Sequence, residues 1–315
     1  MTGPRHEPVM LAPILELLGP AIEGVVPDRA PLLIDATLGL GGHSEALLRS
    51  YPQLLVLGID RDHEALALAQ ERLAGFGDRF RTEHGRFDLV LERLPPATAP
   101  VAILFDLGVS SLQIDSDARG FAYARDTPLD MRMDQTGGLS AADVVNDYEP
   151  EELARVIRKY GEERDAWRIA SAVVRARDEN RITTTGQLSD VIAAAVRYRP
   201  GRGHPAKRTF QALRIEVNDE LTALQAGLET GLRLLAPGGR AAVLSFHSLE
   251  DRIVKRTFAQ GIRPEVPHGL PVVPADRRPW LSAVTRGALP PDPLEVSENP
   301  RAASAKLRVV EKVAA

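Results

Sequence analysis

No cysteine occurs anywhere in the 315 residues. Disulfides, thiolate metal sites, iron–sulfur clusters and a cysteine nucleophile are therefore excluded. No apolar run approaches the ~18 residues that a bilayer crossing needs, and Met1–Met10, with Pro4, Arg5, His6, Glu7 and Pro8, lacks an apolar signal core. A soluble, cytoplasmic protein is expected, with no membrane partner. Internal repeats are absent, and the one biased stretch is proline-rich Pro264–Pro293. The seven histidines have no metal-ligand spacing, so no metal is expected. A strong net charge is missing too: the balance is −4, which alone argues against a polyanion partner. Its distribution argues the other way. Arg155–Arg214 carries 14 Lys/Arg against 6 Asp/Glu, a local +8 that leaves −12 for the remainder. Either a basic face meets a polyanion, or a helical region simply carries a solvated basic surface.

The length and the 44% hydrophobic content allow a large core and imply one large domain with a smaller one. Short apolar runs alternate with helical patterns over the first hundred residues. Leu32–Ala36, Leu54–Asp60, Phe80–Thr82 and Val101–Asp106 read as strands, with helices over His43–Ser50 and His63–Leu73. Strands separated by helices imply a parallel sheet with right-handed crossovers. From about Asp115 to Arg214 only helical patterns follow, clearest in Glu151–Tyr160, Arg164–Arg177 and Gln187–Arg197, with Ser140 and Thr183–Thr185 as N-terminal caps. Strand character returns at Ala241–Phe246 and Leu307–Lys312. The expected fold class is α/β, with 1–112 and 216–315 forming one sheet domain and 113–215 an all-helical insert for substrate recognition.

The glycines of Asp35-Ala36-Thr37-Leu38-Gly39-Leu40-Gly41-Gly42-His43-Ser44 lie between a strand and a helix. Glycine lets the backbone turn sharply and approach a ligand, and the helix start offers free N–H groups. Asp60 ends the next strand, where a carboxylate can accept from both ribose hydroxyls of an adenosine cofactor. The layout serves a dinucleotide or S-adenosylmethionine, or merely tightens the turn. Two features favour S-adenosylmethionine: Ser44 stands where G-x-G-x-x-G has its third glycine, and Leu235-Ala236-Pro237-Gly238-Gly239 leads into a late strand, as in class I methyltransferases.

Asp106 ends the fourth strand, in Phe105-Asp106-Leu107-Gly108-Val109-Ser110-Ser111. Ligands of open α/β sheets sit at the carboxyl ends of the strands, so Asp35, Asp60 and Asp106 are expected at one crevice. Asp106 either caps its strand or accepts a hydrogen bond from an exocyclic amine whose lone pair is delocalised into a base, offsetting charge as a methyl is transferred. Ser110 and Gln113 are candidates to hold the base or the methionine end. Without cysteine, neither transfer through a C5 adduct nor radical transfer is available, which leaves direct transfer to nitrogen or oxygen. His247, in Ser245-Phe246-His247-Ser248-Leu249-Glu250, borders the same crevice as a catalytic candidate, or belongs with Ser248 to a helix cap. In Lys207-Arg208-Thr209-Phe210-Gln211-Ala212-Leu213-Arg214, Lys207, Arg208 and Arg214 are candidate phosphate contacts. Phe210 either stacks on a base or packs inside an amphipathic helix.

These strings resemble the RsmH/MraW family. So do His6-x-Pro8-Val9, Asp60-Arg61-Asp62, Pro128-Leu129-Asp130-Met131-Arg132-Met133-Asp134, Tyr160-Gly161-Glu162-Glu163 and Glu298-Asn299-Pro300-Arg301, all in family order. The resemblance implies a class I S-adenosylmethionine-dependent methyltransferase fold (Rossmann-like) with a helical insert. It implies N4 methylation of a decoding-centre cytidine of 16S rRNA within the small ribosomal subunit, and is compatible with a homodimer. By position it implies cofactor contacts at Gly41, Gly42, His43, Asp60, Phe87, Asp106 and Gln113; Phe87 rests on it alone. Three positions depart from the family pattern: Leu112 replaces a proline, Arg86 precedes Phe87 where proline is common, and Thr127 replaces a glycine. Two rivals stay open. A nicotinamide-dependent oxidoreductase leaves the Asp106 string and the basic insert unexplained, and a non-catalytic RNA-binding assembly factor leaves the crevice unexplained.

Overall fold

The computed structural model describes residues 8–24, 30–116, 118–196, 203–263 and 278–313. His6, Arg197 and residues 264–277 of the proline-rich stretch lie outside them. The chain divides into two compact units, Met1–Gly108 with Leu221–Ala315, and Val109–Glu220.

The first unit contains strands β1 (Leu32–Asp35), β2 (Leu55–Asp60), β3 (Phe80–His84), β4 (Ala102–Asp106), β5 (Arg240–Ser245), β6 (Leu281–Ala283) and β7 (Lys306–Lys312). They form one sheet in the order β3-β2-β1-β4-β5-β7-β6. The first five pair in parallel, while β7 runs antiparallel to β5 and β6. The sheet is therefore mixed at one edge, where the sequence pattern implied parallel strands. β6 was not foreseen, because three residues hold no readable alternation.

Why these runs form a central sheet is visible in where alternate residues go. Ile34, Ile103, Phe105, Ala241 and Val243 belong to one hydrophobic cluster, and their neighbours Leu33, Ala102, Leu104, Ala242 and Leu244 to another. A strand buried on both faces needs a continuous apolar run rather than an alternating one. Helices α1 (Leu11–Glu23) and α2 (Gly42–Ser50) cover the second cluster through Ile14, Leu18, Leu47 and Leu48, with Leu73 of α3 (His63–Leu73). On the other face lie α4 (Phe87–Arg93), α11 (Glu220–Leu234) and α12 (Ser248–Ile262), contributing Leu91, Leu228, Leu232 and Phe258. A short helix, α13 (Pro293–Glu298), precedes β7.

The second unit holds α5 (Ser111–Asp115), α6 (Ala141–Asp147), α7 (Pro150–Gly161), α8 (Ala166–Glu179), α9 (Thr185–Ala195) and α10 (Lys207–Asn218). It extends beyond 113–215 at both ends, because the break after β4 comes at Gly108 (φ 97°) and α10 runs on to a left-handed Asp219 (φ 49°). Ser140 and Thr184 cap α6 and α9, each in a reciprocal box with the residue three positions on. Leu153, Ile157, Ile169, Val173, Phe210 and Leu213 form the core. The Pro128–Asp134 string is held from α10: the Asn218 amide donates to the Met131 carbonyl (2.7 Å) and accepts from the Met133 N–H (2.9 Å). That bond pair stabilises the left-handed Met131 (φ 60°).

Helices α7 and α10 approach so closely that a Cβ at Gly161 would lie 2.7 Å from the Arg208 carbonyl oxygen. Backbone cannot swing aside as a side chain can. Gly161→Ala should therefore destabilise the protein by about 1–3 kcal/mol, the range for overpacking. A denaturant midpoint equal to that of the parent would contradict this packing.

Candidate active site

Three carboxylates end strands of the first unit, at the carboxyl edge that the sequence singled out. Asp35 of β1 is 1% exposed, and its Oδ2 accepts from the Ser44 hydroxyl at 2.7 Å. This bond explains why serine stands at the third glycine position: the turn needs a donor to hold a buried acid. Burial pushes Asp35 up to about 6, against the lowering effect of Ser44 and His43. Asp60 of β2 accepts from the Gly39 N–H (2.7 Å) and the Asp62 N–H (2.9 Å), so its carboxylate closes the glycine turn directly. Burial raises its pKa, opposed by those two bonds.

Gly39 and Gly41 both have positive φ, 51° and 74°. Gly41 caps α2, and a Cβ at Gly42 would meet Pro8 at 2.5 Å. Pro8 thus packs on the glycine turn, and the Val9 carbonyl beside it receives the His43 Nε2 at 3.0 Å. The segment is held from the far side, where the Met10 N–H donates to Glu295 of α13 at 2.6 Å. His6-x-Pro8-Val9, which the sequence left without a role, is in its described part a strap across the start of α2.

Asp106 of β4 receives its own position from Thr37, whose hydroxyl accepts the Asp106 N–H at 2.5 Å. Its side chain is 28% exposed, and Oδ2 lies 3.5 Å from Nδ1 of the buried His43. Burial pushes Asp106 up to about 7, with the Glu250 carboxylate adding to the rise. His43 is lowered by burial, against the raising effect of Asp35, the Val9 carbonyl and Glu295. Phe87 begins α4 and meets Phe105 edge to face at 5.6 Å, with its other side against Gly227 of α11. Arg86, where proline is common, forks onto Asp88 at 2.6 and 2.9 Å.

The structure decides several open alternatives. His247 is the N-cap of α12: its Nδ1 accepts the Glu250 N–H (3.4 Å), Nε2 lies 3.1 Å from Glu250 Oε1, and Glu250 accepts from the Phe246 and His247 N–H groups. The capping reading holds for it, and the sequence signal was the three-residue spacing of His247 and Glu250. Gln113 lies in the second unit, 4% exposed, in a capping box with Ser110. Phe210 is 4% exposed in that unit's core, edge to face with Tyr123. Its ring therefore offers no face for a base, and the packing reading replaces the stacking one. Arg214 is bound bidentately to Glu220 at 2.7 and 2.8 Å, so its fork is committed within the unit. Lys207 and Arg208 are exposed at the start of α10, with Arg208 donating to the Glu162 carbonyl. Thr37 and Ser44 were not foreseen as holding the acids, since a hydroxyl in a turn carries no periodic signal.

The residues present fit an adenosine cofactor bearing a charged methyl donor. A partly exposed carboxylate at the β2 end suits paired hydroxyls, and Gly39, Gly41 and Gly42 leave the backbone of the turn beside it open to close approach. Asp106 also yields a prediction independent of any ligand. Its folded pKa lies above the ordinary 3.8. The stability this lends is complete below that value and lost as the pH rises through about 7. Asp106→Asn cannot ionise, so its melting temperature should gain on the parent's between pH ~5 and ~8. A gap that is constant, or that narrows with rising pH, would contradict the burial of this acid.

Residues 4–313 match the MraW methylase family. The chain is 52% identical over 317 residues to the ribosomal RNA small subunit methyltransferase H of Nocardioides sp., covering 99% of this chain and 98% of the relative. The protein of that name from Streptomyces avermitilis is 50% identical over 317 residues, with the same two coverages, 99% and 98%. That of Salinispora tropica is 52% identical over 312 residues, covering 98% of this chain and 84% of the relative. The seven-stranded sheet, parallel from β3 to β5 with a reversed β7, is the α/β class that the sequence led us to expect. The chain belongs to the MraW methylase family.

Proposed function

We propose that this protein methylates N4 of a decoding-centre cytidine of 16S rRNA in the small ribosomal subunit, in the cytoplasm, by direct transfer. The observation that carries the reading is Asp106: a carboxylate at the β4 end, largely desolvated yet open on one side, within the edge that also holds Asp60 and the glycine turn. The relatives' name supplies the small-subunit rRNA. The absence of cysteine supports attack by an exocyclic atom rather than through a ring adduct.

Bound at this edge, S-adenosylmethionine supplies an electrophilic methyl group on a cationic sulfur. Asp60 accepts from the ribose hydroxyls, its carboxylate held rigid by the Gly39 and Asp62 N–H groups. Asp106 accepts one N4–H bond, turns the nitrogen lone pair toward the methyl, and offsets the positive charge that grows on N4. The base must be swung out of its stack to reach this edge. His247 orders the start of α12 through Glu250. The second unit supplies affinity for the phosphate backbone, with Lys207 and Arg208 at the exposed start of α10. A homodimer is compatible with this reading.

Asp60→Ala should weaken S-adenosylmethionine binding by about 2 kcal/mol, the scale of a hydrogen-bonded charged group; equal affinity in calorimetry would remove Asp60 from the site. Asp106→Asn should slow single-turnover methylation of small subunits by roughly 10²-fold at saturating cofactor, and transfer at the parent rate would sink its role. Changing Lys207 and Arg208 together to glutamine should flatten the salt dependence of rRNA binding by about two units of slope. Arg214→Gln should leave that slope unchanged, because its guanidinium serves Glu220. A slope that responds only to Arg214 would reverse the assignment.

A further inference from the structure

Among the buried titratable groups that the mechanism leaves without a part, His43 lies nearest to Asp106 Oδ2, at 3.5 Å. Its ring bridges two fixed acceptors. A carbonyl oxygen only accepts, so the contact of Nε2 with Val9 O (3.0 Å) requires the proton on Nε2. Neutral His43 therefore leaves Nδ1 without a proton, 3.5 Å from Asp106 Oδ2. Two acceptor atoms at that distance, one of them on a buried ring, make an incomplete contact. One proton between them would turn it into a charge-assisted hydrogen bond while Nε2–H stays on Val9.

Methylation of N4 releases one proton, and resting on that reading of the reaction we propose that His43 is a positioning residue that forms, with Asp106, the acceptor pair for it. The steps balance within the pair. As the methyl arrives, the N4–H bond facing Asp106 breaks, its electrons stay on nitrogen, and the proton moves to the Asp106 carboxylate. From there it passes to the Nδ1 lone pair, which restores the carboxylate and leaves an imidazolium donating through both nitrogens, to Val9 O and to Asp106. After the product departs, the proton returns through the open side of Asp106 to water. Each surrounding group suits these states. Asp35 on β1 and Glu295 on α13 favour the imidazolium, burial favours neutral His43 beforehand, and Glu250 on α12 makes Asp106 a stronger base. The strap explains the fixed tautomer: Pro8 against Gly42 and the Met10 N–H on Glu295 hold the Val9 carbonyl in place.

The test combines kinetics with a readout on the cofactor-free protein. In the parent, the single-turnover rate at saturating S-adenosylmethionine and small subunit should rise with pH through one ionisation near 7, where Asp106 loses its proton. His43→Gln should lower the plateau by roughly 10²-fold, the lower end for acid–base catalysis. It should also move the rise to lower pH, since the proton is no longer shared. An unchanged plateau and profile overturns the proposal. So does a variant that only binds S-adenosylmethionine more weakly and reacts at the parent rate once saturated, which makes His43 a cofactor contact alone. Nitrogen-15 NMR of the parent without cofactor bypasses any folding defect of the variant. It should find the proton on Nε2 above the pair's ionisation and a second on Nδ1 below it, the latter shifting to lower pH in Asp106→Asn. A proton on Nδ1 of neutral His43 overturns the pair directly. A parent product other than N4-methylcytidine overturns the reaction reading and this proposal with it, and is told apart by the product alone.

Discussion

A carboxylate taken out of water loses several kcal/mol of hydration unless hydrogen bonds or opposite charge replace it. The first unit carries three such groups on adjacent strand ends, and much of its local architecture follows from holding them. Ser44 donates to Asp35, two backbone N–H groups to Asp60, and Thr37 fixes the backbone of Asp106. The glycine turn is the means by which one of those N–H groups reaches Asp60, so its positive φ angles serve the acid as well as any ligand. Asp35 is closed off, whereas Asp60 and Asp106 each keep an open side, and of those two it is Asp106 that burial pushes up to about 7. Its basicity is therefore raised by burial while access is preserved, the combination that a group meeting a substrate amine requires.

The same edge organises distant parts of the chain. The Pro8–Met10 strap, the start of α2 and Glu295 of α13 converge on His43, though they lie far apart in sequence. The second unit shows a parallel economy of its own. Asn218, at the end of α10, binds the backbone on both sides of left-handed Met131, and so ties the Pro128–Asp134 string to the helix whose start carries Lys207 and Arg208. That string is a structural clasp within its unit rather than a set of exposed reactive groups.

Legibility in the sequence followed the range of the forces involved. Strand ends, the glycine turn and the acids were readable because burial on both faces demands continuous apolar runs, and because a strand's last residue is fixed by the chain itself. Caps such as Ser140 and Thr184 were readable because they act over three residues. Phe210 and Arg214 were ambiguous because an amphipathic basic helix looks alike whether its aromatic ring faces a core or a base, and only the packing of α7 against α10 decides. The His43–Asp106 juxtaposition was hidden for a different reason: it joins β4 to α2 and depends on a backbone carbonyl, which has no side-chain signature. β6 and α13 follow a stretch with no clear period, and their contributions emerged only in three dimensions.

The atom that receives the methyl group separates direct transfer to N4 from every other chemistry at this edge. Small subunits lacking the modification, incubated with this protein and methyl-labelled S-adenosylmethionine, can be digested and their 16S rRNA nucleosides resolved by mass spectrometry. The label should appear in N4-methylcytidine at one decoding-centre position. Label in a C5-methylated pyrimidine or a 2′-O-methylated ribose would contradict direct transfer to N4.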